Sequence, residues 1–388
     1  MLDIKRHLPA FGIIVVFLAG TSGCGPQQNQ GTAGGVGGGA AKTGAVKIGF
    51  SMDTLKEERW TRDKQLVEQH AKEVGAELIV DVANGDDARQ VSQADNMLTQ
   101  GVDVLIVVPH NGEIAASIVE AAHRKNVPVI SYDRLIKNSD VDLYVSHQVE
   151  KIGELQANYA LQHVPHGNYV LIGGAPTDNN ALLLRKGQEN ILKPAAERGD
   201  IKIVANPFAK DWKMEEALRY TEDALTANNN KVDAVVASND GTASGAISAL
   251  ERAQLAGHVL VTGQDAQLDA CQRIAQGTQT MTIYKPIKPL AYSAVDAALK
   301  LARKEPVDAP DKINNGKKDV PSILQVPIAV DKANIVETII KDGYHTMEEV
   351  FANVPKDQWP KTTAGNREDA GGRSVFASLR FILSAFSW

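Results

Sequence analysis

The chain has 388 residues, which is long enough for two domains that each bury a hydrophobic core. Asp and Glu number 47 against 41 for Lys and Arg, so the formal charge at pH 7 is -6, which argues against a general nucleic-acid-binding protein with its usual basic stripe. If Cys24 is consumed by processing, Cys271 remains as a single thiol, so no disulfide bond within the chain is expected.

The N-terminus has the pattern of a signal peptide, predicted over residues 1–23. Two basic residues precede an apolar run, residues 11–20, that is too short to span a bilayer comfortably. Small residues then lead directly to Cys24, a pattern similar to a bacterial lipobox, whose cysteine becomes lipidated and starts the mature chain. Thr21 stands where a lipobox usually has leucine, so ordinary cleavage nearby stays the alternative. We expect a protein of the periplasm or the outer face of the cell membrane, attached to the membrane only through the lipid on Cys24.

The segment after Cys24, completing residues 24–44, is predicted to be a flexible linker. It consists almost entirely of Gly, Gln, Ala, Thr and Asn and has no periodic apolar face. Such a segment cannot bury enough surface to offset the entropy lost on ordering. Its glycine run is not a phosphate-binding loop, because no strand precedes it and no Gly-Lys-Ser/Thr follows.

From Ala45 onward, strand-like and helix-like patterns alternate. Apolar residues at helical spacing predict helices over residues 59–74 and 290–304. Short apolar runs predict the strands, which cover residues 46–50, 77–83, 103–108, 127–131, 168–173, 201–205, 232–237, 259–262, 279–284 and 323–330. The repeated alternation is typical of an α/β fold with doubly wound parallel sheets.

Some of these strands, such as residues 104–108, are apolar throughout. A continuous β-branched run is typical of a central strand in a parallel sheet that is covered on both faces. The strands are too many for one compact sheet of usual size, so two lobes are expected.

Polar residues follow four of the predicted strands, where the chain turns toward a helix. They are Asp133-Arg134, Ser238-Asn239-Asp240, Gln264-Asp265 and Lys285. The carboxyl ends of strands line the ligand crevice in open α/β sheets. One such residue could be a helix cap, but four in one chain predict a shared crevice.

Several motifs resemble those of periplasmic binding proteins of the ribose/galactose/xylose group, over about residues 46–344. The more specific motifs are Glu58-Arg59-Trp60, Asn228-Asn229-Asn230 and Tyr284-Lys285-Pro286, and those shared more widely are Ala237-Ser238-Asn239-Asp240 and Gly263-Gln264-Asp265. The resemblance implies the type I fold of that family, α/β with two doubly wound parallel-sheet lobes joined by a three-strand hinge. We expect the first lobe over residues 45–151 plus 287–320 and the second over 152–286 plus 321–345.

Carried over position by position, the resemblance implies nine ligand-binding residues that contact a pentose, D-xylose or a related monosaccharide. They are Arg59, Trp60, Asp133, Arg134, Asn180, Trp212, Asn239, Asp265 and Lys285. The chemistry suits a pyranose, whose apolar faces can stack on tryptophan rings and whose hydroxyls can bond to carboxylates, amides and cations. Opposite charges together also limit the desolvation cost of such a site.

Some of these residues have structural interpretations as well. Trp60, at the start of a helix, could belong to the core, and Arg59 could form a surface salt bridge. Asp133 and Arg134 could pair only with each other, and Asn180 could cap a helix.

The function implied by the resemblance is the substrate-binding component of an ABC-type sugar uptake system, which delivers D-xylose to a membrane permease. A membrane sensor is the alternative partner, and a monomer without enzymatic activity is expected. A glycosidase using Asp133 and Asp265 is disfavoured, because the neighbouring cations would keep both carboxylates ionised. A sugar-responsive repressor is disfavoured because a signal peptide occupies the place of its DNA-binding domain. No cofactor or metal site is expected, since the histidines lack metal-ligand spacing, and Cys271 is expected to be an inert buried thiol.

The resemblance to the family implies no structure for the C-terminal tail, residues 346–388. Beyond about Trp359 the chain becomes polar and glycine-containing, typical of a disordered linker, and residues 375–388 are mostly apolar. This last run could form a short amphipathic helix on a lobe or a membrane surface, or stay disordered.

Overall fold

A computed structural model of the protein describes residues 44–360. Its strands are β1 (Lys47–Met52), β2 (Glu77–Val82), β3 (Val104–Val107), β4 (Val129–Tyr132), β5 (Leu143–His147), β6 (Gly167–Ile172), β7 (Ile201–Ala205), β8 (Ala234–Ala237), β9 (Leu260–Val261), β10 (Met281–Tyr284), β11 (Asp311–Asn314), β12 (Asp319–Gln325) and β13 (Ile328–Asp331). Its α-helices are α1 (Glu58–Glu73), α2 (Asp87–Thr99), α3 (Ala116–Arg124), α4 (Val149–His163), α5 (Asn179–Glu197), α6 (Met214–Ala227), α7 (Asp240–Arg252), α8 (Leu268–Gln276), α9 (Ile287–Ala302) and α10 (Met347–Val350). In this part of the chain no helix is both long and apolar enough to cross a membrane. Cys24, the predicted signal peptide and nearly all of the predicted linker lie outside the described residues, as does the segment 361–388.

The first lobe is built on a sheet with strand order β11-β12-β5-β4-β3-β1-β2, parallel apart from the pair β11 and β12. The central strand β3 is buried on both faces. Its Val104 and Ile106 side chains pack with α1 and α9, whereas Leu105 and Val107 pack with α2 and α3. Because helices cover both faces, every side chain of this strand needs to be apolar, as the sequence shows.

The second lobe is built on a parallel sheet with strand order β7-β6-β8-β9. It is covered in the same way. On β6, Val170 and Ile172 pack with α6 and α7, and Tyr169 and Leu171 pack with α4 and α5. Two doubly wound α/β lobes result.

The chain passes between the lobes after β5, after β10 and between β12 and β13, and β10 pairs with β13 in antiparallel fashion. The crossing segments contact one another. The Gln148 amide donates to the Gln325 carbonyl at 3.0 Å, and the His147 Nε2 lies 3.3 Å from the Pro286 carbonyl oxygen. The expected fold, two doubly wound lobes joined by a three-strand hinge, is confirmed.

The structure differs from the sequence-based expectation at the late strand. The single strand predicted over residues 323–330 is wrong, because β12 and β13 belong to different sheets and are separated by Val326 and Pro327. Proline lacks the N–H group that a continuous ladder requires. The expected lobe boundary at residue 320 falls inside β12, which pairs with β5 as far as Gln325, so residues 321–325 lie in the first lobe's sheet.

The described part of the predicted tail, residues 346–360, packs against α8. Val350 and Phe351 are buried in one cluster with Ile274 and Cys271 of that helix. Burial raises the pKa of the Cys271 thiol, which is consistent with an inert side chain. This part of the tail therefore extends the folded unit, whereas the run at residues 375–388 lies outside the described residues.

Candidate functional site

A cavity, which we call the binding cavity, lies between the two lobes. All nine residues predicted to contact the ligand line it. Three further residues also line it: Gln264, which the strand-end pattern had placed in the crevice beside Asp265, and Glu57 and Asp178, which were not predicted. The site is thus assembled from segments that are far apart in the sequence.

Each lobe supplies these residues from the ends of its parallel strands, as expected for an open α/β sheet. The first lobe contributes the start of α1, with Arg59 and Trp60, and the residues after β4, Asp133 and Arg134. The second lobe and the hinge contribute the remainder, from the residues that follow β6, β7, β8, β9 and β10; these are Asn180, Trp212, Asn239, Asp265 and Lys285.

A buried charge cluster lies at the centre of the binding cavity. The Arg59 Nη1 lies 2.8 Å from the Asp133 Oδ2 and 3.6 Å from the Asp265 Oδ1. The Lys285 Nζ lies 3.1 Å from the same Asp265 oxygen and 3.5 Å from the Asp133 Oδ2. Arg59 is also held by Asp63, one turn further along α1, at 3.1 Å. Two cations and three carboxylates therefore lie together where water is largely excluded, and each charge has a partner of opposite sign.

The charge cluster keeps Asp133 ionised. Burial by itself raises the pKa of this carboxyl, but Arg59 and Lys285 outweigh burial and hold the pKa well below its ordinary value. A permanently ionised carboxylate accepts hydrogen bonds and cannot donate a proton to a leaving group. Asp133 is therefore unsuited to the general-acid role that a glycosidase would require.

Arg134 forms a second charge cluster, and this one crosses the cleft. Its Nη1 lies 2.6 Å from the Asp53 Oδ2 in the first lobe, and its Nε lies 3.0 Å from the Asp178 Oδ2 in the second. Asp133 and Arg134 consequently do not pair only with each other, because each has partners elsewhere. The Arg134–Asp178 pair ties the two lobes together beside the cavity.

The two tryptophans are buried and each is oriented by a carboxylate. The Trp60 Nε1 donates to Glu57 at 2.9 Å, and the Trp212 Nε1 donates to Asp178 at 3.2 Å. Trp60 is packed into the first lobe's core and also lines the cavity, so a core role does not exclude a ligand contact for this residue. The Trp212 ring fits because residue 174 is glycine, since any Cβ at that position would overlap the ring.

The structure distinguishes capping residues from candidate ligand contacts. Asp178, not Asn180, caps α5. The side-chain Nδ2 of Asn180 instead donates across the cleft to the Asp133 backbone carbonyl at 3.0 Å. Asn239 does cap α7, because its side-chain oxygen accepts from the Thr242 amide at 2.9 Å. We therefore expect Asn239 to approach a ligand through its amide nitrogen, as a donor.

Backbone strain and unsatisfied hydrogen-bonding groups both occur at this cavity. Asp133, Trp212 and Asp265 have positive φ angles of 56°, 54° and 95°, a conformation that costs roughly 1 kcal/mol or more for each non-glycine residue. The Arg59 Nη1 and the Asp265 Oδ1 are buried and lie in ion pairs with Asp133 and Lys285, but neither makes a hydrogen bond of good geometry within residues 44–360. Because buried polar atoms are normally hydrogen-bonded, the cavity suits a ligand that both donates and accepts.

The three cavity residues outside the nine predicted ligand contacts lie beside predicted ones, and Gln264 already belonged to the predicted strand end Gln264-Asp265. Gln264 precedes Asp265 at the end of β9, Asp178 lies two residues before Asn180, and Glu57 directly precedes the Glu58-Arg59-Trp60 motif. Glu57 and Asp178 accept hydrogen bonds from the indole nitrogens of Trp60 and Trp212 and so orient the two rings. Their role therefore depends on tertiary contacts that local patterns do not reveal.

Comparison with known proteins agrees with this architecture. Residues 48–306 match the family model described as a periplasmic binding protein domain. The chain is 50% identical to a D-xylose-binding periplasmic protein of Haemophilus influenzae, over 79% of this chain and 92% of that protein. It is 49% identical to a D-xylose-binding periplasmic protein of Escherichia coli, over 80% of this chain and 94% of that protein.

The fold is also similar to solved structures. A carbohydrate transporter solute-binding protein from Chloroflexus aurantiacus, in complex with D-glucose, superposes with a TM-score of 0.75 at 30% identity, covering 79% of this chain and 98% of that one. An ABC transporter solute-binding protein from Clostridium phytofermentans, with bound β-D-glucose, gives a TM-score of 0.73 at 30% identity, covering 78% of this chain and 99% of that one. With its two lobes, its three-strand hinge and these similarities, the chain belongs to the periplasmic binding protein family.

Proposed function

We propose that the protein is the substrate-binding component of an ABC-type sugar uptake system and that it binds D-xylose between its two lobes. The observation that carries the proposal is the assembly of all nine predicted residues around one cavity between the lobes. The names of the relatives that are about half identical to this chain support the choice of sugar.

The contents of the cavity suit a small neutral sugar. A pyranose has apolar faces for which Trp60 and Trp212 supply large, rigid apolar surfaces. Its hydroxyls require acceptors and donors in fixed places, which Asp265 and Arg59 offer through atoms that lack a hydrogen-bond partner of good geometry within residues 44–360. A sugar without a matching hydroxyl would leave those buried groups unpaired, and this penalty gives the site its selectivity.

The choice of sugar is tested by calorimetric titration of the purified protein with D-xylose, L-arabinose, D-ribose and D-glucose. We expect D-xylose to bind most tightly of the four. Binding of another sugar in place of D-xylose would contradict the ligand assignment and leave the class of protein intact.

Delivery to a membrane permease follows from the proposed role, and docking on a membrane sensor is the second candidate. Both use the same event, in which the sugar favours the closed arrangement of the lobes through its higher affinity for it. Co-purification of the sugar-bound protein with a permease or with a sensor separates the two partners. The protein itself is proposed to act as a monomer.

The proposed location is the periplasm, with the mature chain held at the membrane by a lipid on Cys24. A single modified cysteine followed by a flexible linker would let the folded part reach a membrane partner. We expect the Cys24→Ser variant to move from the membrane fraction to the soluble fraction of the cell envelope. The same membrane-bound share for this variant and the unaltered protein would contradict lipid attachment at this position.

A further inference from the structure

Lys56 makes a contact across the cleft that lies outside the binding cavity. It belongs to the first lobe, in the loop between β1 and α1. Its Nζ donates to the Asp211 carbonyl at 3.1 Å and to the Trp212 carbonyl at 3.2 Å. Both acceptors belong to the second lobe, between β7 and α6, so one ammonium group joins the two lobes.

The segment that Lys56 holds is strained. Asp211 and Trp212 have φ angles of 52° and 54°, in the left-handed region that non-glycine residues rarely adopt. Such a conformation persists only where surrounding contacts determine it. Two consecutive residues in this region place their carbonyl groups toward the same ammonium group, so the contact from Lys56 compensates part of the strain.

The segment that Lys56 holds also carries a side chain of the proposed binding site. Trp212 lines the binding cavity, whereas Lys56 lines a second cavity at the mouth of the cleft. Glu57, Arg134 and Trp212 line both cavities and therefore separate them. Lys56 thus holds the backbone of Trp212 from the solvent side, where a sugar leaving the cavity would pass.

We propose that Lys56 is a positioning residue that holds Trp212 in place across the closed cleft and thereby slows the release of the sugar. The inference rests on the proposed function of the binding cavity. Lys56 acts only when the lobes are together, so its loss speeds dissociation and leaves the encounter with the sugar almost unchanged. Its side chain is half-exposed, so the effect is moderate in spite of the two charge-assisted hydrogen bonds.

The test compares Lys56→Met with a matched control, Lys213→Met. The two lysine side chains are equally exposed, at 49% and 51%, and both contact residue 211. The Lys213 Nζ, however, pairs with the Asp211 carboxylate at 3.1 Å within the same loop and does not cross the cleft. The control therefore removes the same charge and a similar exposed contact while leaving the lobes joined.

Association and dissociation rates are measured by stopped-flow tryptophan fluorescence with D-xylose. We expect Lys56→Met to raise the dissociation rate roughly 3- to 10-fold and to change the association rate less than about 2-fold, with Lys213→Met within about 2-fold in both rates. Thermal unfolding of the sugar-free Lys56→Met variant should match that of the unaltered protein.

Two outcomes would overturn the inference. An unchanged dissociation rate in Lys56→Met, or an equal increase in Lys213→Met, would refute the positioning role while the sugar-binding function stands. Failure of the unaltered protein to bind any of the four sugars would refute the proposed function and this inference with it.

Discussion

Replacing Trp212 with alanine should weaken D-xylose binding by about 100-fold or more while the protein remains folded. Trp212 is 7% exposed and lies between the binding cavity and the cleft mouth, so its removal takes away an apolar wall of the site and opens the cavity toward solvent. The ring's hydrogen bond to Asp178 is lost as well. The Asp178 carboxylate keeps its ion pair with Arg134, so it is not left buried without a partner. Calorimetric titration gives the affinity, and circular dichroism shows whether the fold is kept.

Trp359→Ala is the matched control for that variant. Trp359 is half-buried against Phe351 in the cluster beside α8 and does not line the binding cavity. We expect the control to lose some stability and to keep its affinity within about 2-fold, since surface and packing changes away from a site act on folding and not on binding. An affinity for Trp212→Ala within about 3-fold of the unaltered protein would refute the stacking role of this ring.

The Asp133→Asn variant should lose both affinity and stability. It removes the negative charge that Arg59 approaches to 2.8 Å and Lys285 to 3.5 Å. Arg59 then keeps Asp63 and Asp265 as partners and Lys285 keeps Asp265, in a buried cluster that has lost one negative charge. Breaking a buried ion pair on one side costs about 3 kcal/mol in the free energy of unfolding, and the loss of a buried charged partner weakens binding by about 30-fold or more. Urea unfolding and calorimetric titration measure the two effects.

The same variant has a defined pH signature. The pKa of Asp133 in the folded protein lies well below its value in the unfolded chain, about 3.9. A group with a lowered pKa contributes stability that is fully present above the unfolded pKa and is lost as the pH falls through the folded pKa. The stability difference between the unaltered protein and Asp133→Asn should therefore be constant between about pH 5 and 8 and shrink below about pH 4.

Asp140→Asn serves as the control for the charge change. Asp140 pairs with Lys317 on the surface at 2.6 Å, with both side chains more than half exposed. Surface pairs contribute little because water screens them, so this variant should keep its affinity and nearly all of its stability. Equal losses in Asp133→Asn and Asp140→Asn would contradict the special role of the buried cluster.

The fold could be predicted from the sequence to a large extent. The completely apolar run of β3 is explained by helices on both faces. Each of the strands β4, β8, β9 and β10 is followed by a polar residue that lines the one cavity, although Ser238 and Asp240 after β8 do not line it. Two strands, β5 and β11, escaped prediction. β5 is short and includes Ser146 and His147, while β11 is a polar edge strand that pairs with β12 alone. Neither gives a clear alternation or a continuous β-branched run, which are the patterns that identify strands.

The site was predicted less completely than the fold. The residue types and their strand-end positions pointed to a sugar crevice, and the resemblance of the motifs supplied the rest of the set. What stayed hidden was the pairing among the residues: that Asp178 caps α5 and orients Trp212, that Asn239 uses its oxygen for capping, and that Arg134 reaches the second lobe.

The alternation of strands and helices, the polar ends of the strands and the likeness of the motifs to one family could all be read from the sequence, because these features depend on residues close together in the chain. The side-chain pairs across the cleft and the division of residues 319–331 between two sheets depend on the three-dimensional arrangement of the chain. Contacts such as Lys56 with Trp212 join residues 156 positions apart. Whether they form depends on how the two lobes meet, and no local periodicity encodes that geometry.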